Sequence, residues 1–443
     1  MTGFLDCARR VAMPTLVAIA LTACVDEPQV VYSNDASEGN YHFINGLWFD
    51  GDAFVAREFF SVEGLLSSRS PETVVAVIDL RGGFVVPPFG EAHQHNVDAD
   101  NGMLDELNEA YLKAGVFYVK NPNTLPRTLP QTLGVVNSAT TIDATFSGGG
   151  VTGTDGHPAG IAQRNIDRGF WTDADMDGGF IYAIDDVAEL EARWREIADA
   201  SRDFVKTYLL YSEEYAKRVG DPEARYWKGL DPNVLPRLVE LAHADGLRVS
   251  THVESATDFR NALRAGVDEI NHMPGFRSGG PEPDGGFSHA SRLNEEDARN
   301  AAMGDTVVVT TLGGGFWRGD VTHNLQLLHA AGVTLAVGTD SYEAPPSREI
   351  ESLHDTGIFS NLELLRMWSI DTPRTIFPAR YIARLADGYE ASFLVLKGNP
   401  IEDFDFVSRI RLGVKQGHII LREPITNSRE PTTTNSKEIS EHE

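Results

Sequence analysis

The sequence predicts an α/β protein, a (β/α)₈ TIM barrel that carries a small β-sandwich-like satellite domain built from both chain ends. Short apolar runs alternate with helix-like segments from residue 87 to about 379, which is the pattern of a parallel α/β architecture. Eight such runs can be counted. A chain of 443 residues is long enough for a large barrel and one satellite domain.

The first residues are predicted to be a secretory leader. Arg9-Arg10 precede the apolar residues 11–21, a stretch too short to span a bilayer. It ends in Leu21-Thr22-Ala23-Cys24, which resembles the lipobox of bacterial lipoproteins. We therefore expect residues 1–23 to be a lipoprotein signal peptide, and Cys24 to be a lipid anchor on the periplasmic side of the bacterial cell envelope. An ordinary signal peptide is the alternative.

The remaining segments outside the barrel fall into three groups. Residues 24–40 are polar and predict a tether, whereas the Thr/Ser/Glu-rich residues 427–443 predict a disordered tail. Strand-like runs separated by turn residues occupy residues 41–86 and return in residues 388–425. We expect these two segments to pair into one satellite domain, with the barrel of residues 87–387 inserted between them.

The eight predicted barrel strands follow in order, with helices predicted before several of them. The first lies just before the histidine pair at 93–95, and the others are residues 116–119, 142–146, 204–209, 247–252, 267–272, 306–311 and 335–340. The helices are residues 103–114, 187–198, 234–244, 256–265 and 324–331. Two long Gly/Pro-rich segments, 147–179 and 274–286, follow the third and sixth strands, so we expect them to hang over the mouth of the barrel as loops.

Residues that can bind a metal lie at the ends of these strands. His93 and His95 are two apart, so on a strand both point to one face. The others each end a different strand: Lys206, His252, His272 and Asp340. Because a barrel brings the carboxyl ends of its strands to one mouth, these side chains are expected to converge there. Imidazole and carboxylate are ligands of zinc and similar ions, so the sequence predicts a metal site.

The joint pattern resembles the amidohydrolase superfamily, and within it secreted members that are imidazolonepropionase-like or dipeptidase-like. The resemblance extends from about residue 31 to residue 423. It is carried by five motifs, VVPPFGEAHQH at 85–95, FVK at 204–206, STH at 250–252, AGVDEINH at 265–272 and VGTDS at 337–341.

This resemblance implies a centre of two divalent metal ions, expected to be Zn²⁺. One ion would be held by His93, His95 and Asp340, and the other by His252 and His272. Lys206, carboxylated by CO₂ to a carbamate, would bridge the two. An ordinary lysine is protonated and cannot add CO₂, but burial between two cations favours its neutral form. A salt-bridged barrel lysine is the alternative reading of Lys206.

The implied reaction is hydrolysis of a carbon–nitrogen bond, amide or peptide, by a hydroxide that bridges the metals. Asp340 and His272 are the catalytic candidates, with Asp340 passing the proton to the leaving group. The expected substrate is a dipeptide or an N-acyl amino acid. Two alternatives stay open: a mononuclear deaminase or cyclic-amide hydrolase, and a catalytically inactive binding lipoprotein. Deaminase-like members place a glutamate three residues after the fifth-strand histidine, whereas Glu254 comes two after His252.

Further substrate contacts are predicted from position alone. His157 lies in a glycine-rich stretch after the third strand, Tyr208 and Tyr211 follow Lys206, and Asn96 follows the histidine pair. The net charge of −27 argues against nucleic acid or an anionic membrane surface as partners. A small-molecule or peptide substrate is the partner that the resemblance implies, and the sequence leaves the native metal and the oligomeric state open.

Overall fold

The computed structural model describes residues 31–32, 39–276, 291–312, 319–342 and 346–423. The predicted signal peptide, Cys24, most of the tether, the tail from residue 427 and residues 277–286 of the second long segment lie outside these ranges. In the described ranges, no helix combines the length and the apolar character needed to cross a membrane.

A mixed β-sheet precedes the barrel in the chain. Its first strands are β1 (Val31–Tyr32), β2 (Tyr41–Phe49), β3 (Phe54–Val62), β4 (Leu65–Ser67), β5 (Ala76–Asp79) and β6 (Phe84–Val86). Aromatic side chains form its core, where the ring of Trp48 packs 4.8 Å from Phe59 and 5.1 Å from Phe393 between ring centroids. This core excludes water because the rings pack among other buried apolar side chains.

The barrel strands come next and run parallel. They are β7 (Phe89–Glu91), β8 (Val116–Asn121), β9 (Asp143–Phe146), β10 (Gly150–Thr152), β11 (Ile181–Ala183), β12 (Phe204–Tyr208), β13 (Arg248–His252), β14 (Glu269–Asn271), β15 (Val307–Val309) and β16 (Leu335–Ala336). β9 pairs with β8, while β10 pairs with β12, so the two are halves of one bent third strand. The ends of β7 and β16 are joined by Ala92 N donating to Val337 O at 2.7 Å, which closes the ring.

Helices cover the outside of these strands. In the described residues they are α1 (Leu104–Lys113), α2 (Leu129–Leu133), α3 (Ala159–Asp167), α4 (Val187–Ala200), α5 (Tyr215–Arg218), α6 (Leu235–Ala244), α7 (Ala256–Ala265), α8 (Glu295–Met303), α9 (Gly319–Ala330), α10 (Arg348–Asp355), α11 (Asn361–Arg366) and α12 (Thr372–Ile376). α7 shows why they form where they do: Ser255 and Asp258 make a capping box at its start, and Gly266 ends it with φ 78°.

The last strands return to the first sheet. β17 (Phe393–Leu396), β18 (Ile410–Lys415) and β19 (His418–Arg422) join β1 to β6, giving nine strands in the described residues, linked in one hydrogen-bonded sheet. Strands from both chain ends therefore share a sheet outside the barrel, because β17 pairs antiparallel with β6. The predicted fold class, a barrel with an additional sheet domain, is confirmed.

Two predicted segments differ from expectation. Val31–Tyr32, within the predicted tether, form β1 and pair antiparallel with β19. Residues 147–179 were expected to be a loop over the mouth, but they contain β10, α3 and a 3₁₀ turn at Asp173–Asp175. Gly150 N donates to Phe180 O at 3.0 Å, so the glycine-rich residues continue the bent third strand into the sheet. The sequence does not reveal this strand because a run of glycines normally indicates a turn.

Candidate metal centre

Strand pairing places the first histidines next to Asp340. Asp340 N donates to His93 O at 2.9 Å across the ends of β7 and β16. The buried Glu91 carboxylate reinforces this, accepting from His93 N at 3.0 Å and from Thr339 N at 2.9 Å. A Cβ at Gly338 would lie 2.8 Å from His93 Cβ, so only glycine permits this close approach of the two chains.

Three potential ligand atoms meet at this point. His93 Nε2 lies 3.2 Å from His95 Nε2, and Asp340 Oδ1 is 3.5 Å from the first and 3.2 Å from the second. The His93 side chain is 1% exposed and that of Asp340 is 20% exposed. Two imidazoles and a carboxylate this close together form a donor set suited to one divalent ion.

A hydrogen bond on the far side of the His95 ring fixes which of its nitrogens faces inward. His95 Nδ1 lies 2.9 Å from Pro122 O, and since a carbonyl can only accept, Nδ1 carries the proton and Nε2 keeps its lone pair. His272 Nδ1 lies 2.8 Å from Thr311 Oγ1 and 3.9 Å from Asp340 Oδ2. These partners orient the rings as the second layer of a metal site does.

The predicted ligands of the second ion lie in the same cluster of rings. The His272 ring centroid is 4.8 Å from that of His93 and 4.4 Å from that of His252. His252 differs from the other histidines because its Nε2 lies 3.0 Å from Glu254 Oε1, a carboxylate that is 3% exposed. The sequence analysis does not assign Glu254 to the site. Its position two residues after His252, which ends a strand, could have indicated that it lies there.

Lys206 lies within the barrel, in β12. Its side chain is buried and donates to Asn271 Oδ1 on β14, and its Nζ lies 5.3 Å from the Tyr208 ring centroid. Asn271 Oδ1 also accepts from Ser250 Oγ at 2.9 Å, so the amide is held in place from two sides. Asp203, the acid closest to Lys206 in sequence, accepts a hydrogen bond from Phe146 N at 2.8 Å.

The protonation states of the cluster favour metal binding. Burial, with the positive charge of Lys206 adding to it, lowers the pKa of His93 to about 3. Burial opposes ionisation of Asp340, but its close contacts with the imidazoles of His93 and His95 hold the pKa of Asp340 well below its usual value. At neutral pH the site therefore offers a neutral imidazole and an anionic carboxylate, which are the forms that bind metal.

The backbone is strained at three strand ends around this cluster. His272, Thr311 and Asp340 have φ values of 79°, 39° and 49°, in the left-handed region that residues with a Cβ rarely occupy. Such strain persists only where the surrounding structure enforces it, and it concentrates at functional sites. The three residues come from successive strands, so the strain surrounds one point.

The four weaker candidates separate into two pairs. The His157 ring centroid lies 5.1 Å from that of His252 and 5.3 Å from that of Tyr208, so these two candidates border the cluster. Tyr211 packs its ring under the Arg218 guanidinium at 4.3 Å. Asn96 Oδ1 accepts a hydrogen bond from Tyr111 OH at 3.0 Å.

Known proteins resemble this chain in sequence and in fold. Residues 228–420, which include His252, His272 and Asp340, match the amidohydrolase family. A segment of 75 residues is 35% identical to ochratoxinase from Aspergillus niger, covering 16% of each chain. The matched segment is thus a small part of that relative's length.

Solved structures match over most of the chain. A Xaa-Pro dipeptidase with bound methionine has a TM-score of 0.67 at 17% identity, covering 87% of this chain and 100% of that one. A second structure, of an amidohydrolase, has a TM-score of 0.66 at 20% sequence identity and covers 87% of this chain and 99% of that one. The A. niger ochratoxinase has a TM-score of 0.63 at 17% identity and covers 87% of this chain and 96% of that one. The family match supports the resemblance to amidohydrolases over residues 228–420, and the solved structures show that this chain has their fold.

Proposed function

Because residues 228–420 match the amidohydrolase family and the barrel has the fold of its members, we propose that this protein is a metal-dependent hydrolase of amide or peptide bonds. The observation that carries the proposal is the cluster of His93, His95 and Asp340, whose ligand atoms lie within 4.8 Å of one another. The expected substrate is a dipeptide or an N-acyl amino acid.

The residues present fit a metal centre, and each has a defined task in it. His93, His95 and Asp340 would hold one divalent ion, and His252 and His272 the second, with carboxylated Lys206 between them. A divalent ion bound there lowers the pKa of water and polarises a carbonyl. The Asp340 carboxylate, anionic at neutral pH, accepts the proton of the attacking water and returns it to the leaving nitrogen.

The rings beside His252 are proposed to contact the substrate. The ring centroids of His157 and Tyr208 lie within 5.4 Å of the His252 ring centroid. Both carry hydrogen-bonding atoms on a ring, which suits them to position a carbonyl or carboxylate.

A second candidate function, a mononuclear deaminase or cyclic-amide hydrolase, is favoured by one contact. Glu254 Oε1 lies 3.0 Å from His252 Nε2, so a carboxylate engages the histidine that would otherwise serve the second ion. In this case His93, His95 and Asp340 alone would hold metal. The two candidates differ in the number of ions bound per protomer.

The test is to load the full chain with Zn²⁺ in bicarbonate, count the metal and screen dipeptides and N-acyl amino acids. About two ions per protomer with hydrolysis supports the first function, and one ion supports the second. The variant His93→Ala is the matched control, and we expect it to lose metal and turnover together. Metal binding without cleavage of any carbon–nitrogen bond would reject both functions in favour of a binding protein.

The proposed location is the bacterial cell envelope, with a lipid on Cys24. The proposal rests on the arginine pair, the apolar stretch and the small residues of positions 9–24. Incorporation of radiolabelled palmitate in a bacterial host, lost in Cys24→Ser, tests it. Equal labelling of the two proteins would contradict it.

A further inference from the structure

A cavity of about 750 Å³ opens beside the three clustered ligands. His95 forms part of its wall, and the Tyr342 ring lies nearly parallel to the His95 ring with centroids 5.8 Å apart. A molecule in this cavity therefore reaches a predicted metal ligand directly. Its volume is that of a small-molecule site, large enough for a dipeptide-sized ligand.

Two arginines that form no ion pair within the described residues line this cavity. Arg164 lies in the last turn of α3 and Arg168 caps the helix four residues later, so both project from one face. Neither forms an ion pair with any residue in the described part of the chain. Both side chains are exposed to solvent, so they give this part of the cavity a local positive charge that suits an anionic ligand.

The acidic side chains of the same cavity do not cancel this charge. Asp100 is held by Arg127, with Arg127 Nη1 and Nη2 at 3.0 and 2.6 Å from its two oxygens. Burial raises the pKa of Asp98, which also accepts a hydrogen bond from Asp100 N at 3.0 Å. Arg164 and Arg168 are therefore the charges available to a ligand.

A buried side-chain amide in the cavity wall has no hydrogen-bond partner within the described residues. Asn123 is 5% exposed, and its side-chain Oδ1 and Nδ2 make no hydrogen bond in the described structure. A buried polar group left in this state destabilises the protein, and a ligand that forms hydrogen bonds with it removes that penalty. Asn123 offers one donor and one acceptor, as a substrate amide requires.

Aromatic rings supply the apolar part of the wall. Trp171 and Phe180 pack with their centroids 4.9 Å apart, and Phe170 beside them is 71% exposed. An aromatic side chain that is this exposed next to a cavity is suited to cover an apolar ligand.

We propose that this cavity selects substrates that carry a free carboxylate next to a large apolar, preferably aromatic, side chain. Arg164 and Arg168 bind the carboxylate, Asn123 bonds to the amide, and Trp171 and Phe180 pack against the side chain. The inference rests on the proposed hydrolase function and names its substrate class. The arginines are specificity residues, since they contact the substrate away from the scissile bond.

The kinetic test uses three substrates that differ in one feature each. N-acetyl-phenylalanine has both features, N-acetyl-2-phenylethylamine lacks the carboxylate, and N-acetyl-glycine lacks the ring. For the zinc-loaded full chain we expect a KM for the first at least about tenfold below the other two. Equal KM values for all three would overturn the proposal.

Variants test whether the two arginines are responsible for the selectivity between substrates. Arg164→Gln and Arg168→Gln should each raise KM for N-acetyl-phenylalanine about tenfold with kcat within about twofold, and leave N-acetyl-2-phenylethylamine unchanged. Arg195→Gln, which removes an exposed arginine from α4, controls for the change in net charge. A loss that is the same for both aromatic substrates would overturn the role of the arginines.

A binding measurement separates this inference from the hydrolase function. Calorimetry with 3-phenylpropanoate and its neutral analogue 3-phenylpropan-1-ol uses ligands without a cleavable bond. If the acid binds better and Arg164→Gln removes the difference, the subsite stands even where no substrate is cleaved. If substrates are cleaved but the acid and the alcohol bind equally, the subsite is wrong and the hydrolase function stands.

Discussion

Asp340 combines two properties that seldom occur in one side chain. It lies within 3.5 Å of both His93 and His95, and it stays ionised although it is largely enclosed. The backbone at Asp340 has φ 49°, so the chain accepts strain to present this carboxylate. A residue in this position can bind metal and move a proton.

We therefore expect Asp340→Asn to lower kcat/KM by about 10²–10⁴-fold, because an amide cannot accept the proton. Circular dichroism should show an unchanged fold. The exposed acid Asp355, at the end of α10, provides the control Asp355→Asn, which should retain full activity. Undiminished turnover in Asp340→Asn would exclude it as the base.

Thr311 is predicted to act through His272. Its Oγ1 lies 2.8 Å from His272 Nδ1, so Thr311→Val removes the partner that orients the ring and keeps the side-chain shape. Metal affinity, measured by competition with a chelator, should fall about 10–100-fold. Thr311→Ser keeps a hydroxyl and should restore most of it. A Val variant with unchanged affinity would show that the contact does not orient a ligand.

At the scale of elements, Asp258 ties two strand-end loops together. This fully buried carboxylate at the start of α7 accepts from Tyr211 N at 2.9 Å and Ser212 N at 2.8 Å, after β12. It also accepts from Glu254 N at 3.1 Å and Ser255 N at 2.9 Å, after β13. The loops that follow Lys206 and His252 are thus fixed to one helix.

Asp258→Asn should lower the free energy of unfolding by roughly 2–4 kcal/mol. The side-chain NH₂ group of asparagine would face backbone N–H groups, which would then lose their hydrogen-bond acceptor. Chemical denaturation measures this free energy. Asp105→Asn is the matched control, an exposed acid in the first turn of α1, and should change stability by less than about 0.5 kcal/mol. Equal stabilities for the two variants would show that the Asp258 hydrogen bonds do not fix the loops.

For the whole molecule, a buried ion pair joins the sheet domain to the barrel. Lys415 Nζ on β18 lies 2.8 Å from Asp143 Oδ1 on β9, with side-chain exposures of 0% and 3%. Arg380 Nη2 lies 2.9 Å from the other Asp143 oxygen. Asp143 is therefore the point where residues from both parts of the chain meet.

Lys415→Met should lower the free energy of unfolding by about 3–5 kcal/mol, because it leaves a buried carboxylate short of one charge partner. Lys113→Met, which breaks the exposed pair with Glu109, should cost no more than about 1 kcal/mol. Both are read from thermal unfolding followed by circular dichroism. If Lys415→Met melts with the wild type, the pair does not hold the domains together.

The sequence by itself determined the fold class and the metal-ligand candidates. His252, His272 and Asp340 directly end short apolar runs, and the order of runs and helices requires that such ends meet at one mouth. Periodicity and strand-end position are local properties, so they can be read along the chain.

Only the tertiary structure decided what surrounds those ligands. Thr311, Asn123 and Arg164 take their places around the site because strand ends, loops and helices far apart in sequence meet at the mouth. The bend in the third strand was likewise hidden, since glycines were read as turn residues while β10 pairs with β12. Such contacts depend on backbone direction and packing between distant segments, which the spacing of residues along the chain does not record.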